Sequence, residues 1–317
     1  MNHSRSYQGG RDIPVDEWLS GDAFEKLCDW TYQEGRSNPC AKNKISTLFV
    51  EMYESRKFME KISAAKGRYV AISHNGDGRV FDKEKREIDI SSRRRAKNVS
   101  VWYSVNVVSR GWGVISIPLG LENEKWFPEQ KKREKLVIFQ RKARSNAHLL
   151  YLNHNIYNNI PQRGGTNDFF SKYDWATVRV GKNGMDYESY LEDLTSHDFV
   201  LCPEGNGPDT HRTWEALYLG TIPVLKKNIL HQDWKNDLPI VWVDDWWDIS
   251  EQFLFEKKRE IEGREYDFKW LKMSYWKEEL QKSKKRGELA QDFLNTGRQL
   301  TDAWERMTEK DYFRRRE

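Results

Sequence analysis

Short apolar runs alternate along this chain with amphipathic stretches, and that alternation limits its fold more than any other feature. ISTLFVEM (45–52), RYVAISHNGDG (68–78), NVSVWYSVNVV (98–108) and GVISIPLG (113–120) are β-rich. YESRKFMEKISAAKG, between the first two, reads as a helix ending on Gly67. Runs that stay apolar, rather than alternating in and out, mark strands covered on both faces, as in a parallel sheet flanked by helices. A second series follows: KLVIFQ, HLLYLNHN, WATVRV, DFVLCPEG, TIPVL and LPIVWVDDW, with helices after Tyr187 and from His211. The expectation is an α/β protein built from two doubly wound, Rossmann-like domains that face a cleft.

The 317 residues suit two such units. ENEKWFPEQKKREK (122–135) is charged, contains a Pro and lacks an apolar stripe, so it reads as the linker. The expected domains are residues 1–130 and 131–255, followed by a helical, charged tail over 256–317 that packs back on the first domain. One amphipathic helix is expected around DEWLSGDAFEKLCDW (16–30).

Composition removes several function classes. Hydrophobic residues make up 38% and there are 14 Trp, enough for real cores, so a disordered chain is not expected. No apolar run approaches the roughly 18 residues of a membrane span, and the opening MNHSRSYQGG is polar. The expectation is a cytoplasmic protein, in a bacterial or a virus-infected cell. Cys28, Cys40 and Cys202 are scattered, with no C-x-x-C pair, and read as inert thiols. Net charge is only +4, but the basic residues clump: Arg93, Arg94, Arg95 and Lys97; Lys131, Lys132 and Arg133; RKAR at 141–144; KSKKR at 282–286; RRR at 314–316. Each run alone reads as a solvated face, and together they suit an anionic partner.

The segment LCPEGNGPDTHRTWEALYLGTIPVL (201–225) carries the chemistry. A strand ends in a Pro/Gly loop, and a helix then opens with His211 and Arg212, where the backbone already carries partial positive charge. Asp209 or Thr210 caps that helix and Gly220 ends it. Trp214, Leu217 and Tyr218 share the core face, while Arg212 and Glu215 share the opposite one. Cations at a helix start make sense when an anion binds there, so that free N–H groups and Arg212 act on a phosphate together. Glu215, one turn on, suits vicinal hydroxyls such as those of a ribose, and Gly205 and Gly207 admit close backbone approach. Phosphate, ribose and a polar sugar add up to a nucleotide sugar. Neither a GxxxxGK[ST] loop nor a GxGxxG fingerprint is present, which argues against a kinase, an ATPase or a dehydrogenase.

The same segment resembles the donor-site motif of GT-B glycosyltransferases, especially the exostosin-like group. Upstream, the order SHNGDG, AKNVSVWYSVNV, ISIPLGLEN resembles small bacterial and viral glycosyltransferases that share the motif, and VDDWWDIS and YWKEEL resemble their C-terminal part. The resemblance implies a GT-B fold in which the second domain holds a nucleotide diphosphate sugar through Arg212 and Glu215, with Glu204 near the sugar. It also implies that the first domain presents the acceptor and the base. Ten residues separate Glu204 from Glu215, not the seven of the E-x7-E pair of retaining relatives, so inversion is the expectation.

Around this core the donor-binding candidates are Glu204, Gly205, Asn206, Gly207, Asp209, His211, Arg212 and Glu215, with Asn153, Asn155 and Arg163 from YLNHNIYNNIPQR and Arg141 after KLVIFQ. His154 lies between the two asparagines. Asp77 in SHNGDG is the preferred general base and His74 the second choice, although N-G-D-G is also a tight-turn sequence. Asp244 and Asp245 could hold a metal or serve as a helix cap, and metal-independent, cofactor-free transfer is the expectation. The expected activity is transfer of a sugar from a UDP- or GDP-sugar to a hydroxyl acceptor. That acceptor is a glycan or, given the Arg93–Arg95 and Lys131–Arg133 clusters, a hydroxymethylated base in phage DNA. The alternative is a non-catalytic protein that binds nucleic acid or a sugar nucleotide.

Overall fold

The computed structural model describes residues 7–33, 45–63, 67–80, 96–108, 114–179, 185–228, 234 and 236–289. Arg93, Arg94, Arg95, Cys40 and the terminal RRR lie outside them. Among the described residues, ten strands form two five-stranded sheets, and every pairing is parallel. The first sheet runs in chain order: β1 (Trp30–Thr31), β2 (Ser46–Glu51), β3 (Tyr69–His74), β4 (Val99–Ser104) and β5 (Val114–Ser116). The second contains β6 (His148–Leu152), β7 (Ala176–Val178), β8 (His197–Leu201), β9 (Ile222–Lys226) and β10 (Val241–Val243), in the spatial order β10-β9-β8-β6-β7. With their flanking helices, the two sheets give the expected α/β architecture, compatible with a two-domain GT-B arrangement.

The strands form where the sequence stays apolar. All six residues of β3 and all five of β8 are buried, as interior parallel strands require. Only β1, two residues long, has no signal in the sequence.

Helix α2 (Ser55–Ile62) follows β2. Two expectations about local structure are corrected. KLVIFQ lies within helix α3 (Lys132–Arg141), not in a strand. Its buried side chains, Leu136, Phe139 and Gln140, recur at helical spacing, and the flanking Lys, Arg and Glu residues favour helix. The run at 16–30 is not one helix either. A 3-10 turn (Val15–Glu17) and α1 (Gly21–Lys26) are separated by extended residues, where Ser20 bridges Leu121 and caps α1 through the Ala23 N–H. The charged stretch at 122–135 contains two 3-10 turns before α3 begins.

Helix α7 (His211–Leu219) binds the molecule together. Every residue from Thr213 to Leu219 is buried, so the body of this helix is packed on all sides, the Glu215 carboxylate included. Its Trp214, Leu217 and Tyr218 join a core that also holds Trp18, Phe24, Trp102 and Trp276. The N-terminal segment is tied to it: Gly10 N–H donates to the Leu217 carbonyl at 2.8 Å, and Leu19 N–H to the Tyr218 hydroxyl at 2.9 Å. Gly220 ends α7 at φ +75°, and a Cβ there would lie 2.7 Å from the Gln8 carbonyl, so both conformation and space call for glycine.

Helix α8 (Glu251–Glu262) follows the second sheet, and the last helix among the described residues, α9, covers 273–289 of them. Helix α9 lies against the first sheet. The Tyr103 hydroxyl bonds to the Glu279 carbonyl and to Ser283, Trp276 packs edge-on to Phe24, and Lys284 pairs with Asp29 at 2.9 Å.

Candidate donor and acceptor cleft

Strand order locates the crevice before any side chain is considered. In the second sheet the chain passes from β6 to β7 on one side, then returns to place β8 on the other side of β6. Loops leaving the carboxyl ends of β6 and β8 therefore diverge, and such switch points are where open α/β sheets bind ligands. The β6 loop supplies Asn153, His154, Asn155 and, through α4 (Ile160–Arg163), Arg163, before α5 (Thr166–Phe170) leads to β7. The β8 loop supplies residues 202–210 and the start of α7 with Arg212.

Two guanidinium groups meet at this corner. Arg163, only 6% exposed, donates to three main-chain carbonyls: Nε to Glu204 and Nη1 to Asn155, both at 2.8 Å, and Nη2 to Pro203 at 3.4 Å. It thus ties the two diverging loops together. Burial and the neighbouring Arg212 charge bring its pKa down to about 10, so it stays protonated at neutral pH. Arg212 donates through Nη2 to the Asn153 carbonyl and lies 6.0 Å from the Tyr190 ring centre. Its Nε is buried and has no hydrogen-bond partner among the described residues. Among the described residues, neither arginine forms an ion pair. Thr210 stands at the N-cap of α7 without a side-chain cap bond, so the helix start adds its own partial positive charge.

His154 is buried beside both arginines. The single hydroxyl proton of Thr166 goes to the Arg163 carbonyl at 2.6 Å, so the Thr166 oxygen accepts from His154 Nε2–H at 2.9 Å. The imidazole therefore presents Nδ1 as an acceptor, and that atom is also without a partner among the described residues. Burial first, then the charges of Arg212 and Arg163, hold the ring neutral, with its pKa lowered to about 3.

The acidic residues of the motif have distinct surroundings. Glu215 is buried and accepts from Tyr187 at 2.7 Å on one oxygen and from Tyr190 at 2.8 Å on the other; both tyrosines come from α6 (Tyr187–Ser196). Asp209 is also buried, accepting from Trp214 Nε1, from Thr210 N–H and from Leu119 N–H of the first sheet's β5 loop. His211 likewise faces the first sheet, with Nδ1 2.7 Å from the Gly120 carbonyl and Nε2 3.5 Å from Glu122. Asp209 and His211 thus join the lobes rather than line the arginine corner. Gly205 N–H bonds to the Gly207 carbonyl, Asn159 holds the Gly205 carbonyl, and Asn206 is exposed at the loop tip.

Facing this loop are the carboxyl ends of β3 and β4. His74 ends β3 fully buried; Nε2–H points to the Pro118 carbonyl at 3.3 Å, and Nδ1 accepts from Asn75 N–H at 2.8 Å. Both ring nitrogens are thus engaged, and burial lowers its pKa to about 4. Asp77 is exposed on the turn that follows. Asn75 adopts φ +58°, as a turn that reverses this sharply requires and Asn tolerates. Asn106, in the same left-handed region after β4, donates to the Gly76 carbonyl at 3.0 Å and accepts from Asp209 N–H at 3.3 Å. Gly207 is packed so closely that a Cβ would sit 3.3 Å from Asp77 Cα and 3.2 Å from Asn106. Arg79, two residues past Asp77, reaches across to Glu204 at 2.8 Å.

Asn106, Arg79, Tyr187 and Tyr190 are not singled out by the sequence. Arg79 directly follows N-G-D-G, the one local hint, whereas the other contacts come from distant segments. Arg141 is exposed at the end of α3 rather than at a strand end. Lys132 pairs with Glu122 and lies over Phe127 and Tyr187; Arg133 packs on Trp18 and donates to the Val15 carbonyl; Lys131 forms an exposed pair with Glu134. Asp245 caps the turn Trp246–Asp248 in a capping box and pairs with Lys226, and Asp244 pairs with Lys227. Among the described residues, no group of three His, Cys, Asp or Glu side chains is arranged to hold a metal ion. No described helix is long and apolar enough to cross a membrane. Burial pushes the Cys202 thiol up to about 12 and raises that of Cys28 further, as befits unreactive thiols.

Comparison with known families matches residues 69–250, more than half of the chain, to the exostosin GT47 domain. No curated protein matches the chain.

Proposed function

Because the chain belongs to the exostosin GT47 family of glycosyltransferases, we propose that it transfers a sugar from a nucleotide diphosphate donor to a hydroxyl acceptor, with inversion and without a metal. The observation that carries this reading is the Arg163–Arg212 pair: one buried and one half-buried guanidinium at a switch point, beside a helix start without a side-chain cap, with no carboxylate in salt-bridge contact with either among the described residues. Taking cationic charge out of water is costly; the Glu215 carboxylate offsets part of that cost at Arg212, and a diphosphate would compensate both cations. In this reading Arg212, Arg163 and the first N–H groups of α7 hold the diphosphate and stabilise it as it leaves. Glu215, oriented by Tyr187 and Tyr190, takes the ribose hydroxyls on its remaining lone pairs, and Glu204 takes the sugar.

The acceptor oxygen attacks the anomeric carbon from the side of the first lobe as the bond to the diphosphate oxygen breaks. Its proton passes to Asp77. His74, with both nitrogens engaged, braces the turn that carries this base. A glycan is the acceptor favoured here. Lys132, Arg133 and Lys284 are occupied by the chain's own groups, which weakens the case for a DNA phosphate backbone. The test is a thermal-shift panel of UDP- and GDP-sugars. One donor should stabilise the wild-type chain and not Arg212→Ala; equal stabilisation of both would put the donor elsewhere.

A further inference from the structure

We propose that Arg79 is a positioning residue for the donor sugar: it fixes the Glu204 carboxylate across the cleft and so ties sugar binding to the loop that carries the base. The inference rests on the donor-site reading above. Arg79 follows β3 in the first lobe and Glu204 follows β8 in the second, 125 residues apart in sequence. Their side chains meet at 2.8 Å and are only 19% and 18% exposed. A pair this shielded is screened less than a surface one, and removing either partner leaves the other charge uncompensated.

The geometry constrains Glu204 from three sides. Arg163 Nε holds its main-chain carbonyl at 2.8 Å, and Arg79 holds Oε2. Asn228, from the loop after β9, lies 3.5 Å from Oε1, a weak contact that leaves that oxygen able to accept from ligand hydroxyls. A carboxylate on a glycine-rich loop would otherwise sample several rotamers, and each must be frozen out when a sugar binds. Arg79 settles that orientation beforehand. It also sits two residues past Asp77, on a turn that Asn106 joins to the donor loop through Gly76 and Asp209. The distance from base to sugar is therefore set by the same ion pair that orients Glu204, the kind of pre-positioning on which transfer depends.

The test separates sugar contacts from diphosphate contacts. Affinities are measured by calorimetry for two probe pairs, UDP with UDP-glucose and GDP with GDP-mannose, using whichever nucleotide the wild type binds. In Arg79→Ala and in Glu204→Gln, affinity for the bare diphosphate should stay within twofold of wild type. The advantage of the sugar-bearing probe should fall by about tenfold, as for loss of one hydrogen bond to a charged group. The double variant should lose no more than either single one, and Arg79→Lys should recover part of the advantage. A merely structural role for Arg79 would weaken both probes of a pair alike, and that outcome overturns the proposal. So does an unchanged ratio in Arg79→Ala, or additive losses in the double variant. Binding of neither diphosphate by the wild type would overturn this proposal and the donor-site reading together. Normal diphosphate binding that is lost in Arg212→Ala, with the sugar ratio unmoved in the Arg79 variants, would overturn this proposal alone.

Discussion

Arg212 illustrates how one side chain can be unfavourable for folding and needed for binding. It brings a cation to a helix start that is already positive, and its Nε is buried with no partner among the described residues. Replacing it with Ala should weaken binding of the preferred nucleoside diphosphate by at least about 100-fold, since a buried, charge-assisted contact is lost. Unfolding stability should fall little or rise, and paired calorimetry and denaturant melts check both halves. Asp77→Asn should lower transfer by about 10²–10⁴-fold while donor affinity is kept, the usual weight of a general base; turnover near the wild-type rate would exclude Asp77 from that role. Tyr190→Phe removes a hydrogen bond to the buried Glu215 carboxylate, and the expected cost is about 1–3 kcal/mol in a urea melt.

At the level of elements, α7 is the centre of the account, and the glycine that ends it gives a sharp test. Gly220→Ala would force a Cβ into the left-handed region, at about 1–2 kcal/mol, and against the Gln8 carbonyl 2.7 Å away. The combined loss should exceed 2 kcal/mol by roughly the cost of that clash, read as a lower urea midpoint with unchanged slope. Much of this element was legible in the residues: a strand, a Pro/Gly loop, apolar side chains at i, i+3 and i+4, and a terminal Gly give its place and bounds. The partners of its polar side chains were not, because Tyr187 and Tyr190 lie 28 and 25 residues upstream of Glu215 and Leu119 lies 90 upstream of Asp209. KLVIFQ was misread for a different reason. A six-residue apolar run fits strand or helix equally, and only the buried set Leu136, Phe139 and Gln140 separates the two. Asn106 depends on a positive φ that no local pattern announces.

At the scale of the whole molecule, the two sheets turn their carboxyl ends toward one another, and buried or half-buried groups join them: Asp209 to Leu119, Asn106 to Asp209, Arg79 to Glu204 and His211 to Gly120. Buried histidines make this assembly sensitive to acid. His74 is lowered to about 4 and His154 to about 3, mainly by burial, against an ordinary 6.5. Below pH 6.5 the unfolded chain binds protons that the folded chain refuses. Stability is therefore complete above that pH and is lost as pH falls toward 4, by up to about 1.4 kcal/mol per pH unit for each histidine. Thermal melts from pH 8 to 5 should show this decline, with a shallower slope in His74→Gln.

The central claim is that the corner formed by Arg163, Arg212 and the start of α7 holds a diphosphate. A crystal structure of the chain with its preferred UDP or GDP tests it most directly. The account predicts phosphate oxygens within hydrogen-bonding distance of both guanidiniums, with the ribose turned toward Glu215. A nucleotide bound away from both arginines would contradict it.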